Sequence, residues 1–586
     1  MRTKWNVLPW LLALVAALLV PASAVAAGST LSLDRTTYAP GQNVVASYAT
    51  DTTSAKNWIG VYTPNATPGS TGSLVWQYAP NASGTVTMPT TSLANGSYVA
   101  RYFHNDGYTE LSAAVPFTVA APQAGSNLLV NGDGEFADAS TSGYDGVTIP
   151  GWRATGVPTI VGYSVGKGFP TSGQGAQFFA GGPIGDSTLS QTVNVSQAGS
   201  QIDAGGVTYT LSGLLGGYSS EISSATVKIT FRNASNAALG TGQIGPVTAT
   251  DRGNATKLLQ RTANAQVPPG TRTIDVLATF SGDPKRNAGN QYNDAYADNL
   301  VLTLSATLPN APVPTPPPSS VPGFDHVFFT ILENRHRDQV IGNADAPYLS
   351  ALAQNNSSLG DSYGVVHPSD PNYMAVAGGS TFGHTDNPWP SGMGSIDAPN
   401  IADRIESVNK TWRGYIEDMG TPCNRTSNGN FDVDNLPFLF FKNIADDDAR
   451  CRRSIHPITQ LWSDLQSTAT TPNFVWFEPN TCNTMHNCST RTGDDWFRAN
   501  LPKILTSPAF TQQRSLLIIT FDEDDNYHGQ RIPTIVVGSQ GTVKTGYVSA
   551  NRYDHYSVSR TMENALGLTP LTRNDKFATP LNDVWK

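Results

Sequence analysis

The chain has 586 residues, which is too long for one hydrophobic core, and we expect about three domains. Its formal net charge is −9 and 14% of its residues are charged, with no cluster of lysine and arginine. A nucleic-acid surface is therefore excluded, because binding to a phosphate backbone relies on clustered positive charge. Eight of the nine histidines follow residue 322, so chemistry that uses imidazole is expected in the C-terminal part.

Residues 1–27 have the pattern of a secretory signal peptide. Basic Arg2 and Lys4 precede the apolar stretch 7–20, and small residues occupy 22–27. The apolar stretch is too short for a permanent anchor, and no later stretch approaches the length of a membrane span. We therefore expect a secreted protein without a transmembrane anchor, in which disulfides can form.

Residues 28–121 contain about seven short alternating segments separated by turn residues, which predicts an antiparallel β-sandwich. The stretches NWIGVY at 57–62 and RYFHNDGYT at 101–109 resemble accessory immunoglobulin-like modules of secreted hydrolases. Aromatic residues are abundant here. They either form the core and the sheet, which we favour, or grip a polymer such as a glycan.

Residues 125–305 are predicted to form a second β domain. It opens with NLLVNGDGEF at 127–136 and closes with AYADNLVL at 295–302, and both stretches resemble the first and last strands of galactose-binding-like jelly rolls. The resemblance implies that these strands lie side by side and that Glu135 and Asp298 help to hold a structural calcium. The alternative is that both carboxylates are solvated or cap turns. No sugar-contact residue is recognisable.

A proline-rich linker at 306–322 carries seven prolines and no charge. Such a segment favours extended polyproline, so we expect a semi-rigid spacer and domains that move semi-independently on either side. A catalytic domain is expected at 323–586. All four cysteines lie within it, and we expect nearest-neighbour pairing, Cys423 with Cys451 and Cys482 with Cys488, against the alternative of free buried thiols.

The C-terminal domain alternates strands with helices, which predicts an α/β fold with a largely parallel sheet covered on both faces. Helical spacing is found at 345–355, 398–408, 457–465 and 492–505. Continuous apolar runs at 326–332, 473–477 and 515–521 have the character of strands buried on both faces.

Each of these runs ends in polar residues: Glu333 and Asn334 after the first, Glu478 after the second, and the acidic run 522–525 after the third. Open α/β sheets bind ligands beyond the carboxyl ends of their strands, so the three ends predict one shared site. The turn at 365–373, VVHPSDPNY, supplies Ser369. Ser-Asp-Pro-Asn taken alone is a common turn composition, but beside carboxylates and histidines a serine becomes a usable nucleophile, because metal coordination lowers its hydroxyl pKa.

Five stretches in this order resemble the secreted phosphoesterase family that includes bacterial acid phosphatases and phospholipases C, within the alkaline phosphatase superfamily. The resemblance covers about 324–586. The stretches are HVFFTILENRHRDQVIGNADAPYLSALAQ, GVVHPSDPNYMAVAGGST, PNTCNTMHNC with TGDDW, LLIITFDEDD and YDHYSVSRTMENALGL. The resemblance implies a metal held by Glu333, Asn334, Asp522 and Glu523, with Ser369 as nucleophile and His555 as the late histidine ligand.

One departure concerns the number of metals. Family members commonly read Asn-Asp-x-His-Asp-Cys where this chain has NTMHNC at 483–488, so two acidic positions have become Thr484 and Asn487. We therefore expect one strongly bound divalent metal (Zn, Mn, Fe, Mg or Ca). A second metal is left open, with a contribution from His486 and from Asp494 or Asp495.

The implied mechanism is in-line attack by Ser369 and a phosphoseryl intermediate, with Asn334, Asn372 or a backbone amide stabilising the equatorial charge. Water activated by the metal, His367 or His555 would release phosphate, and the alternative for His367 is a hydrogen-bonding fixture. The first choice of activity is acid phosphatase on small phosphomonoesters, including phosphoinositide monophosphates. Phospholipase C on phospholipid headgroups is the runner-up, and a catalytically inactive glycan- or surface-binding protein is the alternative from another class.

Overall fold

The computed structural model describes residues 29–34, 37–38, 43–90, 93–94, 96–119, 123–283, 292–309 and 311–586. The predicted signal peptide lies outside the described residues. Within the described ranges, no helix is long and apolar enough to cross a membrane. The chain divides into two compact units, residues 1–121 and 122–586.

The first unit is a β domain, as predicted. Its described strands are β1 (Thr30–Leu33), β2 (Thr37–Tyr38), β3 (Asn43–Ala49), β4 (Trp58–Tyr62), β5 (Val75–Tyr78), β6 (Ser83–Pro89), β7 (Gly96–Phe103) and β8 (Val115–Val119). They form two sheets, in the orders β1-β3-β6 and β2-β8-β7-β4-β5. Ile59, Val61 and Tyr102 are fully buried in the core, but Trp76, Tyr78 and Tyr108 are exposed, so the aromatic residues divide between core and surface.

The second unit begins with another β domain. Its strands are β9 (Gln123–Ala124), β10 (Arg153–Thr155), β11 (Thr159–Gly162), β12 (Gln177–Gly182), β13 (Ser187–Asn194), β14 (Thr208–Gly217), β15 (Ser224–Arg232), β16 (Ala238–Ile244), β17 (Lys257–Gln266), β18 (Thr273–Ser281), β19 (Asn293–Leu304) and β20 (Thr307–Leu308), and helix α1 is Gly199–Asp203. Two five-stranded antiparallel sheets have the orders β10-β13-β18-β15-β16 and β11-β12-β19-β14-β17.

The opening and closing stretches of this domain lie side by side, as the resemblance implied. Leu128 N donates to Leu302 O at 2.8 Å, and Leu300 N donates to Gly132 O at 2.8 Å. This pairing closes the domain before the proline-rich segment begins.

The second β domain is packed on the C-terminal domain, so the expectation of semi-independent movement is wrong for this pair. Two hydrogen bonds join the two domains, Thr381 Oγ1 to Asp145 Oδ2 at 2.9 Å and Gly146 N to Val365 O at 2.8 Å. A third, Ser320 N to Asn582 Oδ1 at 2.7 Å, joins the proline-rich segment to the C-terminal domain. The physical reason is that the proline-rich segment itself binds the C-terminal domain, while buried polar groups of the β domain find their partners across the interface.

The C-terminal domain contains one eight-stranded sheet. Its strands are β21 (His326–Leu332), β22 (Ser357–Tyr363), β23 (Trp412–Ile416), β24 (Ile455–Pro457), β25 (Phe474–Glu478), β26 (Ser515–Phe521), β27 (Ile535–Gly538) and β28 (Tyr547–Asp554). Their order is β24-β23-β25-β21-β26-β27-β22-β28, and only β27 runs antiparallel to its neighbours. The predicted mixed, largely parallel sheet is confirmed.

Helices cover both faces of this sheet. They are α2 (Pro347–Asn355), α3 (Ser369–Gly378), α4 (Ile401–Ser407), α5 (Lys442–Ala445), α6 (Asp448–Ser454), α7 (Ile458–Asp464), α8 (Thr490–Leu505), α9 (Pro508–Gln512), α10 (His555–Leu566) and α11 (Arg573–Phe577). Strands β21 and β26 are buried along their whole length, because one apolar cluster includes α3 and α10 and the other includes α2, α8 and α9. Both predicted disulfides, Cys423–Cys451 and Cys482–Cys488, are present.

Candidate active site

The candidate site lies at the carboxyl ends of β21 and β26. These two strands pair in parallel with Leu332 opposite Phe521, so the residues that follow them meet at one edge of the sheet. Asn334 N donates a hydrogen bond to Asp522 Oδ1 at 2.9 Å, and Glu333 is adjacent to it in the chain. The two predicted strand ends are therefore joined directly.

Ser369 is the first residue of α3 and points at this edge. Its Oγ donates to Glu333 Oε2 at 3.2 Å, and its side chain is almost fully buried. The start of a ten-residue helix carries a partial positive charge, which favours negative charge on the Ser369 oxygen. Ser369 and Glu333 are 36 residues apart in the chain, and the sequence predicts that they lie in one site.

Several buried carboxylates lie close together at this edge. Asp522 is buried, and both its burial and the charges of Glu333 and Glu523 raise its pKa well above the ordinary value. Burial also raises the pKa of Glu523, and Glu478, buried at the end of the neighbouring strand β25, has a raised pKa from burial and from Glu333. Among the residues that the structure describes, none donates a hydrogen bond to Asp522 Oδ2.

Such a cluster matches the requirements of a divalent cation. The carboxylates of Glu333, Asp522 and Glu523 and the amide of Asn334 offer oxygen ligands, which hard cations prefer. Asp522 Oδ2, which is buried and makes no hydrogen bond in the described structure, supports this, since a buried carboxylate oxygen is costly without a positive partner. The chemistry of these residues suits a divalent cation, and their binding of one stays a prediction.

His367 lies between two carboxylates. Its Nδ1 is 2.5 Å from Glu523 Oε2, and its Nε2 is 3.1 Å from Asp524 Oδ1. Burial lowers the pKa of His367, but the hydrogen bonds and charges of Asp524 and Glu523 outweigh burial and raise the pKa to about 9. These contacts suit the hydrogen-bonding fixture named above as the alternative for His367, and its role as a general base stays a prediction.

His555 begins α10 and supports Asp522 through its backbone. His555 Nε2 is 2.6 Å from the carbonyl oxygen of Asp522, so this nitrogen carries the proton and donates it to that carbonyl. Burial lowers the pKa of His555 to about 4, which keeps the ring neutral. The observed contact is thus with the backbone of a metal-ligand candidate, and direct ligation by His555 stays a prediction.

Asn372 holds the turn that carries the nucleophile. Its Oδ1 accepts from Val365 N at 2.9 Å, and its Nδ2 donates to Val366 O at 2.7 Å. The side chain is fully buried and its polar atoms are engaged with backbone. These contacts give Asn372 a part in positioning the turn at Ser369, and its direct role in stabilising the phosphoryl group stays a prediction.

The structure does not bring His486 into the site. His486 is exposed, and its Nδ1 contacts Asn487 Oδ1 at 2.8 Å. The two aspartates considered with it are also engaged elsewhere: Asp494 accepts from the backbone at the start of α2, and Asp495 pairs with Arg498. The His486 ring is exposed, and its contribution to a second metal stays a prediction.

Glu135 and Asp298 lie in the second β domain and bind one backbone segment. Glu135 Oε1 accepts from Ala176 N at 2.7 Å, and Asp298 Oδ2 accepts from Gln174 N at 2.9 Å. Burial raises the pKa of Asp298 to about 6. Both carboxylates thus accept hydrogen bonds from the backbone, and calcium binding there stays a prediction.

Sequence analysis missed Tyr373 and Arg335. The Tyr373 hydroxyl donates to Glu333 Oε1, and both residues are buried. Ser369 and Tyr373 are four residues apart on α3, a spacing that places both on one helix face and was available as a signal. Arg335 donates to Met485 O at 2.8 Å and to Cys488 O at 3.1 Å, which ties the disulfide loop to the end of β21.

Comparison with known proteins identifies the family. The model of the Phosphoesterase family matches residues 340–569. The phosphatidylinositol-3-phosphatase of Mycobacterium tuberculosis is 33% identical over 271 residues, which cover 46% of this chain and 85% of that protein. The chain belongs to the phosphoesterase family. It is a phosphoric ester hydrolase, as the resemblance implied, and the alternative of an inactive binding protein is not supported.

Two further similarities extend the comparison. The phosphate-repressible acid phosphatase of Penicillium chrysogenum is 29% identical to this phosphoesterase over 287 residues, 46% of the chain and 66% of that protein. A solved structure described as a protein in the alkaline phosphatase superfamily, from Vibrio parahaemolyticus, covers 45% of this chain and 74% of its own, with 12% identity and a TM-score of 0.33. At that TM-score the structural likeness carries no argument of its own.

Proposed function

We propose that this phosphoesterase hydrolyses phosphate monoesters through a phosphoserine at Ser369. One observation carries the proposal: Ser369 Oγ donates to Glu333 Oε2 at 3.2 Å, beside the buried carboxylates of Asp522 and Glu523. A serine placed there is a nucleophile beside a cation site. The names of the two relatives support a monoester substrate and, for one of them, a phosphoinositide.

Glu333, Asn334, Asp522 and Glu523 would hold a divalent cation, which supplies positive charge that lowers the pKa of the serine hydroxyl and neutralises the phosphoryl oxygens. Tyr373 holds Glu333 by a hydrogen bond, and the His367 ring lies against Glu523, with Nδ1 2.5 Å from Oε2. Asn372 fixes the turn so that Ser369 Oγ is aimed before the substrate arrives.

The chemistry of the chain itself is a double displacement. Ser369 Oγ attacks phosphorus, the ester oxygen leaves as the alcohol, and water then cleaves the phosphoserine to release inorganic phosphate. His367 lies between Glu523 and Asp524, and in this proposal it keeps Glu523 in place.

The experiment compares wild type, Ser369→Ala and a matched control, Ser350→Ala, on p-nitrophenyl phosphate and on a p-nitrophenyl phosphocholine diester. Ser350 is as buried as Ser369 (both 8% exposed) but lies on α2, where it bonds Val340 O. We expect monoester turnover that is lost in Ser369→Ala and on chelation, and kept in Ser350→Ala. Preference for the diester would favour phospholipase C, and equal turnover by Ser369→Ala would refute the phosphoserine.

We further propose that the enzyme is secreted and that its first β domain contacts glycans. The two disulfides and the pattern of residues 1–27 support export. Trp76, Tyr78 and Tyr108 are 51%, 40% and 51% exposed and line one open cleft with Asp106, an arrangement of ring faces and one polar group that suits a sugar chain. We expect Trp76→Ala to lose polysaccharide binding, and equal retention on a polysaccharide column by wild type and Trp76→Ala would refute the contact.

We also propose that the second β domain is a galactose-binding-like jelly roll.

A further inference from the structure

A second group of metal-ligand side chains lies beside the catalytic carboxylates. His336, Asp525 and His528 each offer one ligand atom, and these three atoms lie within 4.8 Å of one another. His336 immediately precedes the 3-10 turn Arg337–Gln339, whereas Asp525 and His528 lie on the loop that follows β26. The group contains none of the residues assigned above to the catalytic cation.

The contacts within the group converge on one carboxylate. His528 Nδ1 is 2.6 Å from Asp525 Oδ1, and His336 Nδ1 is 3.5 Å from Asp525 Oδ2. The two imidazole rings stack with centroids 3.7 Å apart and planes 16° apart, which keeps the two side chains side by side. Gln339 Nε2 donates to Asp525 Oδ2 at 2.9 Å and fixes the orientation of that carboxylate, as residues behind metal ligands commonly do.

His336 Nδ1 makes no hydrogen bond within the described part of the chain, although Asp525 Oδ2 lies 3.5 Å from it. This nitrogen is buried. His528, by contrast, is 48% exposed, which leaves a path for an ion and room for a water ligand. Three protein ligands with one open position is an arrangement that zinc accepts.

We propose that His336, Asp525 and His528 form a second metal site, selective for a transition metal such as zinc. Two imidazoles and one carboxylate suit Zn²⁺, Ni²⁺ or Cu²⁺, whereas the catalytic set offers oxygen ligands suited to Mg²⁺, Ca²⁺ or Mn²⁺. The two sites therefore select different ions. This inference goes beyond the proposed function, because zinc binding at the second site requires no reaction at Ser369.

The second site is linked to the catalytic site through Asp524. Asp524 Oδ2 accepts from His528 N at 2.6 Å and from Gln530 N at 3.1 Å, while Asp524 Oδ1 contacts His367 Nε2 at 3.1 Å. His367 in turn contacts Glu523. An ion bound by His336, Asp525 and His528 would fix the loop after β26. Because Asp524 on that loop contacts His367, the ion would act on the catalytic site through the conformation of the loop.

The test uses the full chain carrying Ser369→Ala, so that failure of the proposed hydrolysis has no bearing on the outcome. After removal of metals with a chelator, Zn²⁺ alone is titrated into this protein and into versions that also carry His528→Ala, His336→Ala or the control His456→Ala. His456 lies on the edge strand β24, away from the group. Bound zinc is counted by elemental analysis, and Co²⁺ is used in parallel for its visible spectrum.

We expect one fewer equivalent of tightly bound zinc in His528→Ala and His336→Ala, with affinity at that site at least about tenfold weaker, and no change in His456→Ala. The visible band of bound Co²⁺ should weaken in the same two variants. Because His528 is about half exposed, His528→Ala should fold, and it decides the question if His336→Ala does not. Equal zinc stoichiometry and affinity in the parent protein and His528→Ala would overturn the proposal.

Discussion

Replacing Tyr373 by phenylalanine removes one hydroxyl that touches a proposed metal ligand. Burial and the charge of Glu333 raise the pKa of Tyr373 well above its ordinary value, so the hydroxyl is a donor at every pH of interest. A hydrogen bond to a charged group contributes about 1.5–3 kcal/mol. Since about 1.4 kcal/mol is a factor of ten, we expect Tyr373→Phe to weaken binding of the catalytic cation about 10- to 100-fold.

The assay is a calorimetric titration of the chelator-treated protein with Mg²⁺ or Mn²⁺, paired with thermal unfolding in chelator. Tyr415→Phe is the matched control, because the Tyr415 hydroxyl donates to Asp464 Oδ2 at 2.6 Å, also buried, but far along the sheet on β23. Tyr415→Phe should lower stability without changing cation affinity. An unchanged dissociation constant in Tyr373→Phe would refute our account of how Glu333 is held.

Three other changes test the supporting structure. Asn372→Ala removes hydrogen bonds to the backbone of the nucleophile turn, so the free energy of unfolding should fall by about 2 kcal/mol and turnover should fall with it. Full activity with a lowered melting temperature would contradict the positioning role. Replacing Cys423 and Cys451 by serine opens a connection of 28 residues and should cost about 3–4 kcal/mol in denaturant unfolding, whereas a loss below about 1 kcal/mol would contradict it. Burial and Asp575 raise the pKa of Glu563 well above 4.5, so the folded state keeps a proton that the unfolded chain releases, and stability falls as pH rises above that value. Glu563→Gln should therefore raise the melting temperature at pH 7 to 8 and leave it unchanged near pH 4, and a gain that does not depend on pH would refute this reasoning.

The sequence predicted those parts of the site that follow from strand ends. The runs at 326–332 and 515–521 are continuously apolar, because both faces of their strands are covered, and their bounds in the structure are the predicted ones. Parallel neighbours end at the same edge, which is why Glu333 and Asp522 meet. Ser369 was found by the same logic together with a family resemblance.

The roles of the supporting residues could not be predicted, because they depend on which atom faces which neighbour. Asn372 has the right chemistry to contact a phosphoryl group, but its amide is used by the backbone of its own turn. His367 has the chemistry of a general base, but the sequence does not show that a carboxylate oxygen lies against each of its two ring nitrogens. His486 keeps the histidine of a motif whose two acidic positions are lost here, and residue spacing carries no information about the exposure of its ring.

The proline-rich segment shows the same limit at the scale of domains. Its composition predicts stiffness, but it does not predict that Ser320 binds Asn582 or that the preceding β domain is packed on the C-terminal domain. Such contacts are between residues distant in sequence, and no local pattern encodes them.

The central claim is that Ser369 carries the phosphoryl group during turnover. Rapid acid quench of the metal-loaded enzyme with a phosphomonoester, followed by peptide mass spectrometry, measures this directly. The account predicts phosphate on the peptide that contains Ser369 in the wild type and in Ser350→Ala, and none in Ser369→Ala. Turnover with no phosphorylated Ser369 at any quench time, or with phosphate on another residue, would contradict it.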